Sequence, residues 1–294
     1  MKLLEYNIDP RIRAFSTMRE GGFSKGAYGE FNANAFCGDQ KEAVVANRQI
    51  LSNEIGIPLE NFIYTHQVHS TFVREVNAHF VSMPKTERQN LLEGVDALIT
   101  NLPGYCLCIS TADCIPVIIY DEKNHAIACV HAGWRGTLRR IVEVTLEKMM
   151  SVYGTQPADC KAVIGPGISL ENFEVGDEVY EAFEGAGFDM NLLAMRPQGQ
   201  FAVTDNILSI RKEKWHINLP LCNTLQLTNM GVPAENIHNS GICTFDDYEH
   251  YFSARRLGVK SGRMITGVMI KKTIPEKVVS SAVYPQKKLK NLKT

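Results

Sequence analysis

The chain has 294 residues, enough for one large domain or two small ones, and at 45% hydrophobic and 21% charged it has the composition of a folded globular protein. A formal net charge of -1 excludes a strong electrostatic pull toward nucleic acid or an anionic membrane surface. No apolar run approaches the roughly 20 residues of a membrane span. The first residues show no secretory hydrophobic stretch, and eight scattered cysteines include no C-x-x-C pair. Free thiols in a reducing, cytoplasmic setting are therefore expected.

The first unusual segment is 15–24, where Arg19-Glu20-Gly21-Gly22 reads as a flexible loop. Backbone amides and a guanidinium there could meet an anion, although from the segment alone an ordinary glycine turn is the simpler reading. Residues 39–57 read as a helix. Asp39 is the expected cap, Val44, Leu51 and Ile55 recur near helical spacing, Gly56 is the stop, and Arg48 is expected to be solvated. His66 and His69 follow in a strand-to-loop segment, where they would point to opposite faces, so one at most need enter a site. Residues 80–94 read as a polar, helix-permissive peripheral insertion. Segments 95–100 and 105–110 read as strands of a sheet that feeds directly into the hairpin after them.

That hairpin is the centre of the chain. Two apolar runs, 115–120 and 126–130, are joined by the polar turn Asp121-Glu122-Lys123-Asn124. Their pairing would bring Cys114, just before one strand, close to His131, just after the other. A thiol and an imidazole meeting at strand ends form either a metal half-site or a nucleophile with its base. A helix is expected from Thr137 to Met150, with Leu138, Ile141, Val142, Leu146 and Met149 on one stripe. Its free amides near Gly136 and Thr137, together with Arg135, suit an anion.

Segment 159–164 reads as a strand running into the rigid-then-flexible loop Gly165-Pro166-Gly167. A short amphipathic helix is expected over 177–186, and another from the cap Asn218 to the stop Gly231. Strands are expected at 237–244 and 264–270. Arg255 and Arg256, between them, would diverge in a strand. The lysine-rich segment 271–294 reads as a solvated tail or a late edge strand near 278–283, outside a single domain spanning 1–270.

Cys114, His131 and one of the early histidines would make a mixed sulfur and nitrogen set. Zinc favours such a set, and three protein ligands leave a fourth position for water or substrate. The metal-free alternative, Cys114 as nucleophile and His131 as base, stays open, as does a partner-binding or envelope factor whose metal is structural. The Walker loop, G-x-G-x-x-G, H-E-x-x-H, G-x-S-x-G and the P-C-x-x-C of zinc deaminases are all absent.

Seven segments occur in an order that resembles a known family. They are Arg19-Glu20-Gly21-Gly22-Phe23-Ser24, Thr65-His66-Gln67-Val68-His69, Asp96-Ala97-Leu98-Ile99-Thr100, Ala112-Asp113-Cys114, His131-Ala132-Gly133-Trp134-Arg135-Gly136, Ile164-Gly165-Pro166 and Phe252-Ser253-Ala254-Arg255-Arg256. They are similar to the purine nucleoside phosphorylases formerly called multicopper polyphenol oxidases, or laccase-domain proteins. The resemblance implies a single layered α/β domain, with mixed β-sheets flanked by helices, of the kind shared with a Cys-His toxin deamidase. It implies zinc held by His69, Cys114 and His131, with copper also accepted in vitro. It further implies phosphorolysis of adenosine, inosine or methylthioadenosine and deamination of adenosine; the older laccase label implies copper-dependent oxidation of phenols. On this chain Cys114, His131 and Arg135 are the expected catalytic residues, Arg19 and Arg135 the expected phosphate binders, and purine nucleosides with phosphate the expected partners. One departure is Asn172-Phe173-Glu174-Val175, which stands where the family more often has Cys-Tyr-Glu-Val.

Overall fold

The structure is a computed structural model that describes residues 1–197 and 213–272, and the backbone alone of 201–204 and 207–210. Its strands are β1 (Leu3–Glu5), β2 (Ile12–Thr17), β3 (Phe62–Tyr64), β4 (Val73–Glu75), β5 (Ala97–Thr100), β6 (Cys106–Thr111), β7 (Ile115–Asp121), β8 (Ala126–Ala132) and β9 (Cys160–Ile164). Later strands are β10 (Glu174–Val175), β11 (Ala194–Met195), β12 (Phe201–Thr204), β13 (Ile207–Ile210), β14 (Trp215–Ile217), β15 (Ile237–Asn239) and β16 (Met264–Ile270). The helices are α1 (Lys41–Ile55), α2 (Ala78–Ser82), α3 (Lys85–Leu91), α4 (Trp134–Leu138), α5 (Ile141–Tyr153), α6 (Asp177–Gly185), α7 (Met190–Leu193), α8 (Leu219–Asn229) and α9 (Ala254–Leu257). The tail and its possible edge strand near 278–283 fall outside the described residues.

Two mixed sheets form the middle of the molecule, one ordered β15-β9-β7-β8-β5-β4 and the other β1-β2-β16-β6-β3. Strand side chains alternate between faces, and here both faces are covered. Ile115, Val117 and Ile119 of β7 face a core shared with α5 and α8, whereas Ile118 and Tyr120 face the other sheet. Leu107 and Ile109 of β6 meet them in that inter-sheet core, while Cys106 and Cys108 turn to a third core beneath α1. The order of layers is therefore α1, sheet, sheet, and α5 with α8. This is why the central runs read as continuously apolar rather than alternating.

The central hairpin forms as expected, with Pro116 opposite His131 and Ile115 opposite Ala132. Helix α6, the Asn218 cap on α8 and strand β16 also match the sequence reading. Several expectations are corrected. Consecutive strands β5 and β6 lie in different sheets, because β5 pairs with β8 while β6 pairs with β16 and β3. The expected helix 137–150 starts earlier, at Trp134, and breaks where Arg140 takes a left-handed φ of 61°. Helix α1 is not capped by Asp39, whose carboxylate instead accepts from Ser24 and Asn32. Arg48 is not simply solvated, since it donates to the Ala33 carbonyl and lies over the Tyr64 ring. Strand β15 stops at Asn239, and Arg255 and Arg256 sit in the short helix α9 rather than a strand. The 80–94 insertion is helical but not purely peripheral, since Phe80 and Leu92 are buried. Among the described residues no helix is long and apolar enough to cross a membrane.

Candidate metal centre

Four separate pieces of chain converge at one end of the sheet pair. They are the loop after β3, the residue before β5, the crossing from β6 to β7, and the end of β8. The loop after β3 is fixed by Gln67, whose side-chain amide exchanges two hydrogen bonds with the backbone of Ser110, at 2.9 and 2.7 Å. That leaves His69 turned inward in a left-handed conformation, φ 62°, uncommon for a residue with a Cβ. His66 goes the other way. It bonds Glu93 at 2.5 Å and stacks on Phe36, as the opposite-faces argument requires.

His69, Cys114 and His131 come together with their donor atoms all within 4.8 Å of one another. Cys114 Sγ is 3.7 Å from His69 Nε2, and the two imidazole rings meet edge to face with centroids 4.8 Å apart. His131 is buried, while His69 and Cys114 are half-buried, so the group opens toward solvent on one side. Gly133 closes the other side. A Cβ there would lie 2.6 Å from the His69 ring and 3.0 Å from the Cys114 sulfur, so only glycine allows this approach.

Behind the three stands Asp96, fully buried. Its Oδ1 accepts from His131 Nδ1 at 2.7 Å and its backbone carbonyl accepts from the His131 amide. The same carboxylate accepts from the amides of Val68, His69 and Ser70 and from the Ser70 hydroxyl. One side chain thus sets the tautomer of His131 and the loop that presents His69. Burial opposes its charge, but His131 and Ser70 outweigh burial and hold the carboxyl below the usual range. In the sequence Asp96 stands out only as part of a strand and of one of the seven segments of the family resemblance. The signal was an acid directly before the wholly apolar run Ala97-Leu98-Ile99.

The three-residue group has a distinct electrostatic balance. Burial works against a Cys114 thiolate, but the charge and hydrogen bond of His131 and the contact of His69 bring the thiol down to about 6. Burial likewise opposes a charged His131, and Cys114 and Asp96 overcome it, raising the imidazole to about 9. A thiolate and two imidazoles, one held by a carboxylate behind it, are a donor set that fits a borderline-soft divalent metal.

The expected anion binders fare differently. Arg135 is exposed, lies 4.2 Å over the Trp134 ring and has no carboxylate partner among the described residues. The Thr137 amide is unavailable for an anion, because it bonds the Gly133 carbonyl at 2.8 Å inside the first turn of α4. Arg19 spends Nε on the Gly29 carbonyl and Nη1 on the Tyr248 carbonyl, and covers Phe252, so it ties two loops together. The Gly165-Pro166-Gly167 loop is buried rather than flexible, with Gly167 pressed against the carbonyls of Asp113 and Cys114. Asn172 donates to Asp246 at 2.8 Å and touches Cys243.

Comparison with known proteins shows which family the chain is similar to. The family model described as multi-copper polyphenol oxidoreductase laccase matches residues 13–271. A protein of Bacteroides thetaiotaomicron named purine nucleoside phosphorylase is 46% identical over 264 residues, 89% of this chain and 92% of its own length. A protein of an unknown prokaryotic organism named adenosine deaminase RL5 is 37% identical over 257 residues, 87% of this chain and 93% of its own length. Among solved structures, the Bacillus licheniformis hypothetical protein YfiH superposes with a TM-score of 0.81 at 24% identity, covering 92% of this chain and 96% of that one.

Proposed function

The chain belongs to the multi-copper polyphenol oxidoreductase laccase family, and from that premise we propose that it is a zinc-dependent enzyme of purine nucleosides. It cleaves adenosine, inosine or methylthioadenosine with phosphate and deaminates adenosine. The observation that carries this reading is the half-open His69, Cys114 and His131 group with Asp96 behind it. The names of the relatives at 46% and 37% identity supply the substrate class. A laccase reaction is disfavoured by the ligands themselves. The four-electron reduction of oxygen needs several coppers, and His69, Cys114 and His131 form the one metal-competent group among the described residues.

Zinc bound by these three residues would supply Lewis acidity and lower the pKa of a water at neutral pH. The chain's own residues do the rest. Asp96 keeps the proton of His131 on Nδ1, so Nε2 stays available at the centre. Arg135, exposed and without a carboxylate partner among the described residues, holds phosphate while positive charge builds at the ribose carbon. Arg19 is the weaker phosphate candidate, because two of its nitrogens are already spent on carbonyls.

The test is to incubate zinc-loaded protein with inosine, with and without phosphate, and to follow hypoxanthine by chromatography. Phosphate-dependent release is expected. Release that ignores phosphate would make the protein a hydrolase, and adenosine converted to inosine without base release would leave only the deaminase. A second reading has its own support: Cys114, His131 and Asp96 are also ordered as nucleophile, base and orienting carboxylate. Inertness toward nucleosides, with no bound metal and rapid alkylation of Cys114 by iodoacetamide, would favour that thiol hydrolase.

A further inference from the structure

Strand β6 ends at Thr111 in one sheet and β7 begins at Ile115 in the other. Four Cα steps, at most about 14 Å of extended chain, must cross between stacked sheets about 10 Å apart. The crossing therefore has little slack, and it must also deliver Cys114 facing two histidines. It does so through Asp113, which takes a left-handed φ of 77°. That conformation is tolerated by aspartate but is not one it falls into unaided.

Three segments outside the ligand set hold Asp113 in place. The Thr244 hydroxyl donates to Oδ1 at 2.8 Å, and the Arg255 backbone N–H donates to Oδ2 at 2.6 Å. The Ile168 amide donates to the Asp113 carbonyl at 2.9 Å. The chain continues outward from there, since the Arg255 guanidinium reaches the Glu174 carbonyl at 3.0 Å. Both carboxylate oxygens are thus occupied by fixed donors, one residue from the thiol. The arrangement mirrors Asp96, which orders the two histidines in the same way.

The geometry points to Asp113 as a positioning residue of the metal centre: its carboxylate, clamped by Thr244 and Arg255, locks the left-handed turn that aims Cys114 at His69 and His131. This rests on the reading of Cys114 as a metal ligand. Asp113 lies outside the His69, Cys114 and His131 group, and its effect passes through the direction of the sulfur.

The test uses Co2+ as the probe on full-length protein freed of metal. Affinity is read by chelator competition, and thiolate ligation by the sulfur-to-cobalt charge-transfer band. Asp113→Gly adopts the same φ freely but lacks both anchors, so it separates the clamp from backbone strain. We expect it to weaken Co2+ binding by about 10- to 100-fold, the range typical of lost outer partners, with a weaker or shifted band per bound cobalt. Asp113→Asn keeps one acceptor and tolerates the turn, so it should recover part of the loss. Thr244→Val should move both readouts the same way by less, and with Asp113→Asn it carries the test should Asp113→Gly not fold.

Wild-type affinity and band in Asp113→Gly would overturn the proposal. So would weaker affinity with an unchanged band per cobalt, because the sulfur would then sit as before. If wild-type protein binds cobalt without a thiolate band, the metal reading has failed instead. The placement of Cys114 is then read by iodoacetamide in the metal-free proteins: a several-fold rate difference between wild type and Asp113→Gly supports the clamp, and equal rates refute it.

Discussion

Two kinds of cysteine occupy this molecule, and they behave as opposites. Cys106 and Cys108 lie 3.7 Å apart in the core under α1, and Cys129 faces the inter-sheet core, its thiol 3.4 Å from the Thr266 carbonyl. Burial pushes the thiols of Cys108 and Cys129 far above their ordinary value, so they pack as small apolar groups. Cys114 sits at the end of the same sheets, next to two imidazoles, and its thiol is brought down to about 6. All eight cysteines are free, so bonding does not separate the classes. What separates them is position: strand interiors offer mainly backbone and apolar neighbours, so burial dominates there, whereas strand ends let loops from distant sequence bring charged partners.

The most damaging way to break this contrast is to remove the sulfur at the strand end. Cys114→Ala should lose bound metal and activity together, by more than the about 10- to 100-fold typical of an outer partner. Metal content by mass spectrometry is the check, and stoichiometric zinc retained in Cys114→Ala would sink the ligand assignment. Cys108→Ala should leave metal content unchanged and cost only packing.

Next in size is Asp96→Asn. It removes the charge facing His131 and turns an amide toward donors that need an acceptor. Breaking such a buried pair costs about 3–5 kcal/mol, and metal affinity should fall about 10- to 100-fold. The folded carboxyl titrates below the ordinary range, so its stabilisation is present above about pH 4 and is lost as pH falls through its folded value. Melting curves of wild type and variant should therefore converge in strong acid. A gap that persists there would mean that shape, not charge, is what Asp96 supplies.

A third, smaller effect sharpens the contrast without mutation. In metal-free protein at pH 7, iodoacetamide should modify Cys114 and spare Cys106, Cys108 and Cys129. The Cys114 rate should fall only as pH drops through about 6, because the thiolate is present above that value. A rate that instead fell through the ordinary thiol range near 8.5 would show that the imidazoles do not act on it.

The strand-end partners were only partly legible in the sequence. The hairpin was readable because both its strands are buried on two faces and a polar four-residue turn separates them, and it placed Cys114 beside His131. The position of Asp96 before an apolar run was visible but its role was not, because that role lies in bonds to residues 26 to 35 positions away. The separation of β5 from β6 was hidden for a related reason: consecutive strands usually neighbour one another, and here the chain changes sheets twice within a few residues. Arg48 was misread because helical spacing says nothing of the loop carbonyl at Ala33 that reaches it.

The smallest expected effect falls on His66, and it tests whether proximity in sequence carries function. His66 is three residues from His69 and of the same type, yet Gln67 pins the loop so that the two side chains part. Its partners are an exposed glutamate, 62% accessible, and the exposed Phe36 ring. Exposed pairs of this kind contribute roughly 0–1 kcal/mol, because water screens them and long side chains must be ordered to form them. His66→Ala should therefore keep full metal content and melt within a few degrees of wild type, whereas His69→Ala should lose the metal. Equal metal loss in the two variants would mean that the loop, not the ligand, is what the centre depends on, and the distinction between the two histidines would fall.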